Sequence, residues 1–144
     1  MSDPALSRLQ TLPSWLLGRA ASRGHRLVAD HLARLDLRLN QHAVLCGIAE
    51  HGPLAQAELA RAVRIDPKDI VTALNELQAR GLLTRERDPR DARKNLIALS
   101  TEGRTVLQQA EELGLQANAE LTATLSPEER AQLNKLLERL VIDR

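Results

Sequence analysis

Apolar residues in this chain recur at three- and four-residue spacing over long stretches, and only two short stretches alternate. Pro13-Ser14 offers a helix start. From there to about Leu37 the chain carries Leu16, Leu17, Ala20, Leu27, Val28, His31, Leu32 and Leu35, the stripe of an amphipathic helix. Residues 1–12 read as a frayed lead-in. Asn40 is placed to cap the next helix, with Val44, Leu45, Ile48 and Ala49 as its buried side and His51-Gly52-Pro53 as its end. After Leu54, the run AQAELARAV predicts a short helix with Leu59 and Val63 inward. Asp66 then stands as an N-cap with Pro67 at the first helical position. Ile70, Leu74 and Leu77 share one face of that helix, and Gly81 stops it.

Leu82–Arg87 and Asn95–Leu99 alternate imperfectly and predict a two-stranded ribbon, with Asp88–Lys94 as its loop. Ser100 caps a long helix striped by Val106, Ala110, Leu113, Ala117, Leu121 and Leu125. Ser126-Pro127-Glu128-Glu129 is a capping box that opens a last helix presenting Leu133, Leu136, Leu137, Leu140 and Val141. The expected fold is mainly α with a small two-stranded β wing. A winged helix-turn-helix occupies 38–100, between a lead-in and helix at 1–37 and two helices at 101–144, all in one compact fold per chain. The leucine stripes at both ends exceed what one small core buries, so these end helices are expected to dimerise.

Composition narrows the chemistry. A chain of 144 residues supports one domain, and Trp15 is its only large aromatic, with no Phe or Tyr. A core of Leu, Ala, Val and Ile suits helix-on-helix packing, and the lack of aromatic platforms argues against stacking on single-stranded nucleic acid. A net charge of +1 leaves room for one basic face on an otherwise acidic surface. Cys46 is alone, and His25, His31, His42 and His51 are scattered, so neither a disulfide framework nor a metal site is expected. The sequence has no Gly-rich phosphate loop, nucleophile elbow or HExxH, and no enzyme or cofactor is expected. No apolar run approaches the ~20 residues that span a bilayer, and the N-terminus does not read as a signal peptide; the expected location is the cytoplasm.

Two short helices followed by strand, loop and strand are the order of a winged helix-turn-helix, whose second helix lies in the major groove. With Ile70, Leu74 and Leu77 inward, Lys68, Thr72, Asn75 and Ala79 turn outward, flanked by Asp69, Val71 and Glu76. Lys68 can reach a guanine edge or a phosphate, Asn75 can pair with adenine, and Thr72 and Val71 can pack on a thymine methyl. Asp66, Asp69 and Glu76 oppose the phosphate field, so the wing must supply the charge. Arg85, Arg87, Arg90, Arg93 and Lys94 do so against Glu86, Asp88 and Asp91. Arg90, beside Pro89, sits where a loop tip enters the minor groove. Asp91 reads as a structural tether, and Arg93 either contacts DNA or ties the wing to Asp91 or to the recognition helix.

The stretch DPRDARKNLIALS resembles the wing of the MarR family of bacterial transcriptional regulators, Asp-x-Arg, five residues, then Leu-Ser/Thr. The matching positions are Asp91, Arg93, Leu99 and Ser100. LNELQARGLLTRERD is similar to that family's passage from recognition helix to wing. The resemblance covers about Leu39 to Leu107, with the flanking helices matching by order and length. It implies a symmetric homodimer held by the first helix and the last two. It further implies binding to a pseudo-palindromic operator in double-stranded DNA, and release by a small, often aromatic or phenolic, ligand or by oxidation. The chain departs from the pattern at Asn75, where many members have an aspartate paired with the wing arginine matching Arg93, and at Thr72 and Glu76, where many carry arginines. Cys46, in an apolar helix, reads as a small core residue and not as a redox sensor. Trp15 reads either as the wall of a ligand pocket or as an anchor in the dimer interface. The rival to a DNA-binding repressor is a winged-helix protein-interaction module with weak or no DNA binding, which the acidic recognition helix keeps open.

Overall fold

Pro13 opens the first helix, α1 (Pro13–Leu32), in a computed structural model that describes residues 7–142. The helix does not run on to Leu37. A 3-10 turn, Ala33–Leu35, follows, and Asp36 then adopts a left-handed conformation (φ 55°). The N–H of Asp36 donates to the Ala33 carbonyl and that of Leu37 to the Leu32 carbonyl, the paired closure that ends many helices. This turn swings Leu37 inward, where it is 3% exposed.

Helix α2 (Leu39–His51) starts two residues earlier than an Asn40 cap allows: Arg38 holds the cap position, and its N–H donates to Gln41 Oε1 at 2.9 Å. Asn40 lies within the first turn. Val44, Leu45 and Ile48 are buried as expected, but Ala49 is exposed, because the inward face is centred on Gln41, Val44, Leu45 and Ile48. Helix α3 (Gln56–Val63) buries Leu59. Helix α4 (Pro67–Ala79) has Asp66 as its cap, its carboxylate accepting from the Lys68 N–H at 2.9 Å, and Gly81 turns left-handed (φ 74°) just beyond its end. Ile70, Ala73, Leu74 and Leu77 are fully buried and belong to one core with residues of α1, α2, α3, α5 and both strands.

Strands β1 (Leu83–Asp88) and β2 (Asp91–Leu99) pair antiparallel, and the expected seven-residue loop shrinks to the turn Pro89-Arg90. Arg93 and Lys94 therefore sit on a strand. The register slips between Arg87 and Asp88, a bulge that lets Asp88 face Asp91. Ile97 also exchanges two backbone bonds with Leu54, fastening the wing to the segment before α3.

Ser100 accepts from the Gly103 N–H to cap α5 (Thr101–Leu121) and donates to the Gly81 carbonyl at 2.6 Å. Leu125 falls outside α5, in the link to α6 (Pro127–Val141), whose capping box between Ser126 and Glu129 is complete. Gly103 lies so close to the chain entering the wing that a Cβ there would meet the Leu82 carbonyl oxygen at 1.9 Å. Gly103→Ala is therefore expected to cost about 1–3 kcal/mol or more and to lower the melting temperature by roughly 5–15 °C. Thermal unfolding followed by circular dichroism checks this, and an unchanged melting point would contradict the close approach.

Candidate nucleic-acid interface

The burial of Ile70, Ala73, Leu74 and Leu77 leaves Lys68, Val71, Thr72, Asn75 and Ala79 exposed on α4. The acidic residues near this face are less free than the sequence suggested. Asp66 is occupied at the helix N-terminus, where a carboxylate complements the helix dipole. The Glu76 carboxylate turns toward the start of α2, where Arg38 pairs with it and Gln41 Nε2 donates to it at 2.7 Å. One turn on, Arg80 donates to the carbonyls of Leu35 (2.9 Å) and Asp36 (2.7 Å). No local sequence spacing marks Arg38, Gln41 or Arg80, because their partners lie 35 to 45 residues away.

Arg90 stands at the turn of the wing, and its backbone N–H donates to Asp88 Oδ1 at 2.8 Å, so Asp88 shapes the tip. Asp91 Oδ1 accepts from the Arg93 backbone N–H (3.0 Å) and from Arg93 Nε (3.2 Å). The backbone bond first, then the Arg93 side chain, holds the Asp91 carboxyl below the usual carboxylate range. A lowered pKa means that this tie is present above the ordinary Asp range and is lost only as pH falls through the folded value, so the wing keeps it at neutral pH. Arg93 thus tethers to Asp91 and does not reach Asn75. The hydrogen bond to Asn75 comes from Arg85 instead, Nη2 donating to Oδ1 at 3.2 Å. Arg85 is half-buried and braces the wing against α4, while Arg87, Arg90, Arg93 and Lys94 are exposed.

Cys46 is half-buried against the core, its Sγ 3.5 Å from His42 Nε2. Burial, then the nearby Glu111 and Glu50 carboxylates, push the thiol pKa up, and burial lowers that of His42. The pair is therefore held uncharged, the opposite of the electropositive setting that makes a thiol reactive. Trp15 is half-buried, with the Arg19 guanidinium 5.8 Å from its ring centre. Among the described residues no group of three or more His, Cys, Asp or Glu could hold a metal ion, and no helix is long and apolar enough to cross a membrane.

A two-helix corner presenting one exposed helix face, with a basic two-stranded wing fastened beside it, defines a winged helix-turn-helix protein. Residues 35–94 match the MarR family. The chain is 31% identical over 117 residues to the multiple antibiotic resistance protein MarR of Escherichia coli K12, covering 81% of each. It is similar in structure to the transcriptional repressor CouR bound to a 23-mer DNA duplex (TM-score 0.88, 27% identity, 98% of this chain and 100% of that one). It also resembles Bordetella bronchiseptica BpsR, from a study of how 6-hydroxynicotinic acid regulates that protein's DNA binding (TM-score 0.81, 26% identity, 93% and 96%). The chain belongs to the MarR family of transcriptional regulators.

Proposed function

We propose that this protein is a homodimeric repressor that reads a pseudo-palindromic operator in double-stranded DNA and is released by a small aromatic or phenolic ligand. Residues 38–100 bind the DNA, and the segments on either side of them dimerise. The recognition helix α4 chooses the sequence through Lys68, Val71, Thr72 and Asn75, and the wing supplies charge through Arg87, Arg90, Arg93 and Lys94. Arg85 contributes by holding Asn75 and by adding its charge at the wing base. The observation that carries this reading is the placement of Glu76: its charge is answered by Arg38 and Gln41, so Asp69 is the acidic residue left exposed beside Lys68, Val71, Thr72 and Asn75 on α4. The DNA-bound CouR and the ligand-regulated BpsR support the two halves of the proposal. A regulator of this kind acts in the cytoplasm, without enzymatic chemistry of its own.

The experiment is binding of the purified chain to the DNA upstream of its own gene, in competition with a scrambled duplex. Selective binding is expected, falling roughly 10³-fold or more between 50 and 200 mM salt, because several phosphates are neutralised at once. The absence of any selective shift would return the protein to the class of winged-helix interaction modules.

A further inference from the structure

The recognition helix is fastened to the end of α1 by side chains that its DNA-facing surface does not use. Arg80, at the C-cap of α4, donates from Nη1 to the Asp36 carbonyl at 2.7 Å and from Nη2 to the Leu35 carbonyl at 2.9 Å. Both acceptors lie where the first helix runs out, a place with unsatisfied carbonyls and the negative end of the helix dipole. Glu76, four residues before Arg80 and on the same side of α4, holds Arg38 and Gln41 at the start of α2. The two residues thus grip both sides of one elbow, residues 33–38. Its Asp36 sits at φ 55°, a conformation that a non-glycine residue keeps where its surroundings hold it.

We infer that this clamp sets the orientation of the recognition helix relative to α1, and that the elbow is the joint through which a movement of α1 reaches α4. The inference rests on the reading of α4 as the helix that chooses DNA sequence. Arginine is suited to the task because its planar fork fixes direction as well as distance, and here both acceptors are backbone atoms. A lysine offers a point charge on a flexible stem and cannot hold the same angle. The α1 surface that such a joint would report on carries the exposed Leu16 and Leu17, with Leu12 exposed at its N-cap. Arg80, Glu76, Arg38 and Gln41 are therefore positioning residues, acting on DNA through the angle of α4.

The test uses the full chain as parent, Arg80→Ala, Arg80→Lys and Glu76→Gln, with two readouts. In the first, affinity is measured for the operator and for a scrambled duplex at one salt concentration. Arg80→Ala is expected to lose roughly tenfold on the operator and no more than about twofold on the scrambled duplex, with Arg80→Lys recovering only part. Equal loss on both duplexes, or full recovery by lysine, overturns the clamp. The second readout is amide hydrogen exchange. Arg80→Ala is expected to speed exchange in residues 33–38 and 76–80 together, and Glu76→Gln to do so more weakly. Leu16→Ala on α1 is expected to alter exchange at 76–80 in the parent but not in the Arg80→Ala background. A response absent from the parent, or equal in both backgrounds, overturns the joint. If the parent itself fails to distinguish the duplexes, the functional reading fails, and the clamp is decided by the exchange result alone.

Discussion

Replacing Arg90 by alanine is expected to weaken operator binding roughly 10- to 100-fold while leaving the fold intact. The turn that presents Arg90 is held by its backbone N–H on Asp88 and by the β1–β2 ladder, neither of which needs the guanidinium. The loss therefore falls on binding alone. A minor groove concentrates negative potential and has room for a narrow cationic side chain, so an arginine at a two-residue tip is worth more there than on an open phosphate face. Asn75→Ala is expected to act differently, costing less affinity but changing which bases are preferred, since it removes a donor–acceptor group from the α4 face and frees Arg85. Anisotropy titrations of both variants on the operator and on single-base variants separate the two effects. Should both proteins bind like the parent across the whole set, the reading face is elsewhere.

The parts of this interface that could be read from sequence are those encoded within a few residues. Asp66-Pro67 and Ser126 with Glu129 announce helix starts because the cap bonds close over two or three positions, and the buried face of α4 follows from 3.6-residue periodicity. The start of β2 is illegible because Asp91, Arg93 and Lys94 are charged and the stretch carries no alternating pattern. Strand pairing there is made by the backbone, which side-chain polarity does not report. The end of α1 at Leu32 and the 3-10 turn after it are illegible for a related reason: no glycine marks the left-handed Asp36, and the turn brings Leu37 into the core. Glu76 shows the largest gap. Sequence alone made it a charge opposed to DNA, whereas the fold sets it against Arg38, 38 residues away. The acidic count of the recognition helix therefore overstated its repulsion, and with it the case for an interaction module.

Charging the last helix, through Leu136→Asp combined with Leu140→Asp, is expected to yield a monomer of 15.9 kDa and to reduce operator binding by at least about 100-fold. Helix α6 buries none of its residues within the chain: Leu136 is 56% exposed, Leu140 66% and Val141 72%, and α6 hardly touches the other helices and strands. A fifteen-residue helix is marginal in water on its own propensity, and a row of leucines facing solvent adds a penalty that a soluble protein does not normally carry. Both problems are solved if a second copy covers α6 together with the exposed leucines of α1. The effect on DNA binding follows from linkage of two reading heads. Once one head is on its half-site, the other meets its own half-site at an effective concentration on the order of millimolar, and a monomer forfeits that second event. Light scattering on the parent should return twice 15.9 kDa at micromolar concentration, and the double variant half of that with its helical circular dichroism largely retained. A parent that is monomeric, or a charged variant that still dimerises and binds, would show that α6 is covered by something other than its own copy.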